Sequence, residues 1–225
     1  MARSHPQESE TTPTDYLRRA DPVLGTVIDA FVNEHGRPLK LPPDIPSADP
    51  NLPSDRYGIV VRGIVSQNIS EIASTAIYAR LIARYGGRPP TPQEILDDDP
   101  DEMRVAAGLS RAKTASLRSL AEHILSGELA LERLEELSDE DIVAQLSAVR
   151  GIGTWTADMF LMFHLYRPDV LPVGDVNLRR AVKQAYGLDA APGPTDLVRI
   201  AEPWRPHRSL ACIYLWRTTE SIPMV

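Results

Sequence analysis

Two segments with helical apolar spacing, 138–148 and 154–166, are joined only by Val149-Arg150-Gly151-Ile152-Gly153. A connection this short makes the two helices neighbours in space and folds them into a hairpin. Glycine on both sides of Ile152 allows a turn that Cβ atoms would hinder and lets a ligand come close to the backbone. The second helix begins at once, at Thr154, so its first amides have no carbonyl partner within the helix and favour an anion. Gly151, Ile152, Gly153 and Thr154 are therefore the candidate anion-binding positions. A Gly-x-Gly run is also an ordinary helix connection, and its meaning here depends on what surrounds it.

The rest of the chain reads as helical. No alternating strand pattern is strong enough to build a sheet. Apolar residues recur at helical spacing over 16–34 with a break at Pro22, and then over 55–68, 70–85, 112–125, 176–186, 195–201 and 206–219. Shorter helices are expected at 93–96 and 99–108. Residues 1–13 are rich in Ser, Thr, Pro and Glu and read as a disordered tail, and 36–54 as a Pro-rich connection. The expected fold class is all-α. Residues 14–225 form one unit of two helical lobes, a core lobe at about 55–150 and a second lobe from 14–54 plus 151–225, with no β domain before them.

Composition narrows the setting. A 43% hydrophobic content supplies a packed core. No apolar run reaches the length of a membrane span, and the first residues lack the apolar stretch of a signal peptide. The expectation is a cytoplasmic protein with no membrane partner, monomeric by default. The single cysteine, Cys212, supports neither a disulfide nor a cysteine metal cluster, and the five histidines lack ligand spacing. His164 reads as a satisfied core histidine. A net charge of −7 weighs against a nucleic-acid partner, but the acid is concentrated at 94–102 and 128–141. Arg104, Arg111, Lys113, Arg118, Arg150, Arg179, Arg180, Lys183, Arg205 and Arg208 lie elsewhere and leave room for a basic face.

Beyond the hairpin, Asp175 in Leu171-Pro-Val-Gly-Asp175 sits where a loop meets a helix. It is placed as an N-cap, and a helix N-terminus favours a negative charge there. The run GIGTWTADMFLMF followed by PVGD resembles the helix-hairpin-helix, Gly/Pro-Asp (HhH-GPD) superfamily of base-excision DNA glycosylases. Within it the chain is most similar to the 3-methyladenine DNA glycosylase II, or AlkA-like, family. LRRADPVLGTVIDAF, GIVVRGIVSQNIS and WRPHRSLACIYLW also fit, so the resemblance runs from about residue 16 to 219.

The resemblance implies that the anion at the hairpin is a phosphate of double-stranded DNA, nucleoid-associated in the cell, and that Asp175 is the catalytic carboxylate. Loss of a base passes through an oxocarbenium-like sugar, which an anion beneath C1′ stabilises. Relatives that also cut the backbone carry a Lys where this chain has Trp155, so a monofunctional enzyme is expected, leaving an abasic site. Trp155 and Trp216 match positions that line the base pocket, with Met159 and Tyr214 as neighbours. Met159 stands where some members have an aromatic residue. An electron-poor alkylated base stacks well on such faces.

Gln67 and Asn68 fall where relatives place the side chain that fills the gap left by the flipped base; some relatives use an apolar residue there, so a polar pair is a departure. Arg179 is a candidate for a phosphate contact. No cofactor is required for catalysis on this reading, although the family's hairpin holds sodium or potassium through carbonyls matched by Ser147, Val149 and Ile152. The implied function is removal of 3-methyladenine and 7-methylguanine. The alternatives are a bifunctional oxidised-base glycosylase/lyase, a non-catalytic helix-hairpin-helix DNA-binding module and, more remotely, a protein scaffold built on the acidic blocks.

Overall fold

The computed structural model describes residues 12–41, 53 and 55–219. The expected tail lies outside them up to residue 11, and so does the connection over 42–52 and at 54. Thr12 and Pro13 belong to the fold instead. The Thr12 hydroxyl accepts the Asp15 amide and Pro13 opens the first helix, α1 (Pro13–Ala20). The described residues hold α-helices, two 3-10 turns and no strand.

The chain divides at 44/45 and 166/167 into two compact units. The expected division fell at 54/55 and 150/151, which would have split the hairpin from the helix before it. The actual boundary keeps both arms of the hairpin in one unit, because they pack on each other.

One unit holds α1, α2 (Pro22–His35), α10 (Val176–Ala185), α11 (Pro194–Ile200) and α12 (Arg208–Arg217). Every residue of α12 from Ser209 to Trp216 is buried, including the free thiol of Cys212. This near-uniformly apolar helix is the axis on which α2 and α10 pack. Asp21 closes α1 and starts α2. Its carboxylate accepts the amides of Val23 and Leu24 at 2.9 and 3.1 Å, the Trp204 Nε1–H at 2.9 Å and the Tyr186 hydroxyl.

The other unit runs through α3 (Arg56–Ser66), α4 (Glu71–Arg84), α5 (Pro92–Asp97), α6 (Pro100–Ala107), α7 (Arg111–Ser126), α8 (Asp139–Ala148) and α9 (Thr154–Phe163). Side-chain caps on Ser70, Thr91, Asp99, Ser110 and Ser138 punctuate it. Its core helix is α7, with Leu117, Leu120 and Ala121 fully buried and α3, α5 and α6 packed around it. The acidic block at 94–102 is partly spent on internal pairs. Arg84 chelates Asp98 with two 2.7 Å bonds and, as the leading cause, pulls its carboxyl down to about 2.

Candidate functional site

The hairpin turn is built as its glycines require. Gly151 has φ +80°, and a Cβ there would lie 2.3 Å from the Ser116 hydroxyl on α7. The turn is also pinned from α7 by Ser119, whose hydroxyl accepts the Arg150 amide at 3.1 Å. Gly153, Thr154 and Trp155 are exposed, and no side chain caps α9. The first turn of α9 is thus presented to solvent. Ile152 is the correction: it is 5% exposed and its amide is spent on the Val149 carbonyl at 3.0 Å. Ile152 anchors the turn in the core.

Of the three carbonyl positions matched to a cation, Val149 already accepts that amide, which leaves one lone pair on its oxygen. The Ser147 hydroxyl is buried with no hydrogen-bond partner. Neutral oxygens of this kind suit a weakly bound alkali cation better than a divalent one.

Along α9, Trp155 is 37% exposed whereas Met159, one turn on, is fully buried. Asp158 lies between them, and desolvation raises its carboxyl to about 7. His164, at the end of α9, is pushed down to about 4 by burial and stays neutral, but its Nε2 is buried without a partner. It is a core histidine, not a satisfied one. Its ring meets Phe160 at 5.5 Å over a small apolar hollow bounded by Ile59, Leu146 and Thr156.

In the other unit, Asp175 is the N-cap of α10 and is 5% exposed. Its Oδ1 accepts the Leu178 amide at 2.5 Å and the Trp216 Nε1–H at 3.1 Å. Trp216 itself is fully buried, so the indole's visible work is to orient the carboxylate. Tyr214 departs from expectation. Its ring packs edge-on against Phe31 at 5.6 Å, and its oxygen accepts the Leu39 amide at 2.9 Å and lies 3.2 Å from the Thr14 hydroxyl. It ties the ends of its own unit together. Arg179 donates its Nε–H to the Pro192 carbonyl at 2.6 Å, which anchors its side chain.

The expected basic face thins in the same way. Arg205 and Arg208 pair with Asp169, Arg104 pairs with Asp101, and Arg118 donates to carbonyls at the end of α5. Arg111, Arg150, Arg180 and Lys183 remain exposed.

The turn between α3 and α4 bears Gln67 and Asn68. Gln67 is half-buried, and its Nε2 donates to the Gly151 carbonyl at 3.0 Å; Asn68 is exposed in the left-handed region with φ +56°. Sequence reasoning missed what braces this turn. Lys113 Nζ donates to the Val65 carbonyl at 2.8 Å. The nearly buried Arg62 reaches the hydroxyls of Ser66, Ser74 and Thr75 at 3.0–3.1 Å and lies over the Tyr78 ring. Lys113, Ser116 and Ser119 recur every third residue on α7 and so share one face, which meets the α3 terminus and the hairpin turn. That spacing was the available signal, hidden inside an otherwise ordinary amphipathic helix.

A hairpin that offers helix-end amides, followed by a Pro-Val-Gly loop delivering a buried Asp to the next helix, defines a DNA-repair protein of the helix-hairpin-helix type. The chain belongs to the HhH-GPD superfamily of base excision DNA repair proteins, whose model matches residues 61–206. It is 36% identical over 166 residues to DNA-3-methyladenine glycosylase 1 of Schizosaccharomyces pombe, covering 73% of this chain and 72% of that protein. The structure is similar to DNA-3-methyladenine glycosidase of Bacillus halodurans, with TM-score 0.77, 31% identity, and 93% and 90% of the two chains covered. It is also similar to S. pombe 3-methyladenine DNA glycosylase (Mag1) in complex with abasic DNA, with TM-score 0.71, 30% identity, and 92% and 96% covered.

Proposed function

We propose that this DNA N-glycosylase releases alkylated purines, 3-methyladenine and 7-methylguanine among them, from double-stranded DNA by hydrolysis and leaves the backbone intact. The observation that carries this reading is the Asp175 carboxylate, nearly buried and held on one oxygen by the Leu178 amide and the Trp216 indole. A carboxylate fixed in this way stabilises positive charge developing on a deoxyribose without having to reorganise. The alkylated base is already electron-poor. It leaves as the neutral free base with the bonding pair, water adds to C1′, and the water's proton passes to solvent.

Trp155 supports the monofunctional half of the reading, since no amine stands at that position to form a Schiff base. Its half-exposed ring offers a face to a cationic purine. The exposed amides at the start of α9 grip a backbone phosphate. Sodium or potassium, if bound by the carbonyls of Ser147, Val149 and Ile152, would offset phosphate charge there. The enzyme acts as a monomer on cytoplasmic, nucleoid DNA; no helix among the described residues is long and apolar enough to cross a membrane.

The test is release of free bases from methylated duplex DNA, separated by chromatography, alongside borohydride trapping. The expected result is free 3-methyladenine and 7-methylguanine with no trapped complex. A covalent complex would establish the bifunctional alternative, and duplex binding without base release would establish the non-catalytic module.

A further inference from the structure

Between α6 and the first half of α7, in the unit that carries the hairpin, lies a cleft of about 290 Å³ lined by three arginines, Arg104, Arg111 and Arg118. The base-release chemistry uses none of them. Arg111, Ala115 and Arg118 share one face of α7, and the small alanine between the two arginines leaves the floor of the cleft open. This row is separate from Lys113, Ser116 and Ser119, which meet the α3 terminus and the hairpin turn.

Most donors in the cleft are unspent. Arg111 is exposed and has no hydrogen-bond or ion-pair partner among the described residues. Arg118 commits only Nη1, to the carbonyls of Ile95, Leu96 and Asp98 at 3.0–3.4 Å, which steadies its guanidinium and leaves Nε and Nη2. Arg104 commits only Nε, to Asp101 at 3.0 Å; that carboxylate is 78% exposed, and a surface pair of this kind is easily exchanged. Three guanidinium groups thus line a cleft with one carboxylate. Arg111 and Lys113 also stand in the first turn of α7, which has no acid, where the helix dipole disfavours cations and welcomes an anion.

We propose that this cleft is a second anion site, separate from the hairpin and from Asp175, that takes two neighbouring phosphoryl groups. Guanidinium forks match phosphate oxygens in pairs. Arg111 and Arg118 start about 10 Å apart along the helix axis, which suits two phosphoryl groups rather than one. Groups so arranged come from a free oligophosphate, such as a nucleoside diphosphate, or from the backbone of a nucleic-acid strand.

Calorimetric titration of the full chain with inorganic pyrophosphate reads the site, and binding of an undamaged duplex over a range of salt reads the source. Pyrophosphate should bind more tightly than orthophosphate. Arg111→Ala should weaken pyrophosphate about tenfold, the scale of one lost charged hydrogen-bonded contact. Ala115→Leu, which fills the floor without changing a charge, should weaken it as well, and Asp101→Asn, which removes the competing carboxylate, should tighten it. With a strand as the occupant, pyrophosphate displaces the duplex and Arg111→Ala lowers the salt slope of duplex binding by about 1; with a free oligophosphate, duplex binding is the same in the variant and the parent. Absence of pyrophosphate binding by the parent, or binding that Arg111→Ala and Ala115→Leu leave unchanged, overturns the proposal. If the parent releases no base and yet binds pyrophosphate through Arg111, the catalytic reading fails and this one stands; normal base release without pyrophosphate binding does the reverse.

Discussion

Asp21 caps α2 and Asp175 caps α10; the two are 6% and 5% exposed, and each accepts an indole N–H, from Trp204 at 2.9 Å and from Trp216 at 3.1 Å. The difference lies in how the donors are shared out. Asp21 divides four between its oxygens: the Val23 and Leu24 amides meet Oδ1, and the Tyr186 hydroxyl and Trp204 indole meet Oδ2. At Asp175 the Leu178 amide and the Trp216 indole converge on Oδ1. The first pattern binds three segments of chain, α1–α2, the end of α10 and the turn at Trp204, through one carboxylate. The second fixes Oδ1 of a carboxylate whose chain neighbours, Gly174 and Val176, are exposed. Burial and an indole partner therefore do not by themselves distinguish a structural acid from the one proposed as catalytic.

Substituting Asn at each position breaks the comparison most sharply. Asn at 175 keeps an oxygen for both donors and loses the charge, so Asp175→Asn should retain the fold and duplex binding. Its single-turnover base release should fall about 10²- to 10³-fold, the usual consequence of removing one preorganised electrostatic group. Unchanged release would return Asp175 to the status of a plain cap. Next in size, Asp21→Asn should leave release per folded molecule intact and lower stability by about 2 kcal/mol. An Asn oxygen can serve the two amides, but its NH2 then faces the Trp204 N–H, a donor that cannot become an acceptor. Denaturant unfolding measures it, and a shift under about 0.5 kcal/mol would mean that the network is dispensable.

The sequence distinguished these two acids only through the motif around one of them. PVGD next to a Gly-Ile-Gly hairpin marked Asp175, whereas Asp21 in ADPVLG reads as any cap before a proline. Its partners Tyr186 and Trp204 are 165 and 183 residues away along the chain. Helices were legible wherever a cap and a 3.6-residue period coincide, as in α7, expected over 112–125 and found at Arg111–Ser126. The 3-10 turns at Leu131–Glu136 and Glu202–Trp204 have no such period and were not anticipated. In the same way, the resemblance placed Gln67 as a gap-filler, while the Gly151 carbonyl to which its Nε2 donates is 84 residues away and was not legible. The tertiary partners of Arg179 and Tyr214 were hidden for the same reason, since the carbonyl of Pro192 and the amide of Leu39 come near them only in the fold.

The smallest expected effects come from the two indoles, and they sharpen the comparison furthest. Trp204→Phe and Trp216→Phe each remove one hydrogen bond of about 1 kcal/mol and keep most of the aromatic volume, so both should lower stability by a similar amount. They should part in kinetics. Loss of the Trp204 donor leaves Asp21 with the Tyr186 hydroxyl on the same oxygen and touches no reacting group, so single-turnover release should be unchanged. Loss of the Trp216 donor removes a hydrogen bond that fixes Oδ1 of Asp175 and loosens the orientation of its carboxylate, so release should slow by roughly tenfold, which is about 1.4 kcal/mol. Equal rates in the two variants would place Trp216 with Trp204 as a packing residue and leave the orientation of Asp175 to the helix terminus; a slower Trp216→Phe enzyme with duplex binding intact separates the acid that holds the unit together from the acid that faces the sugar.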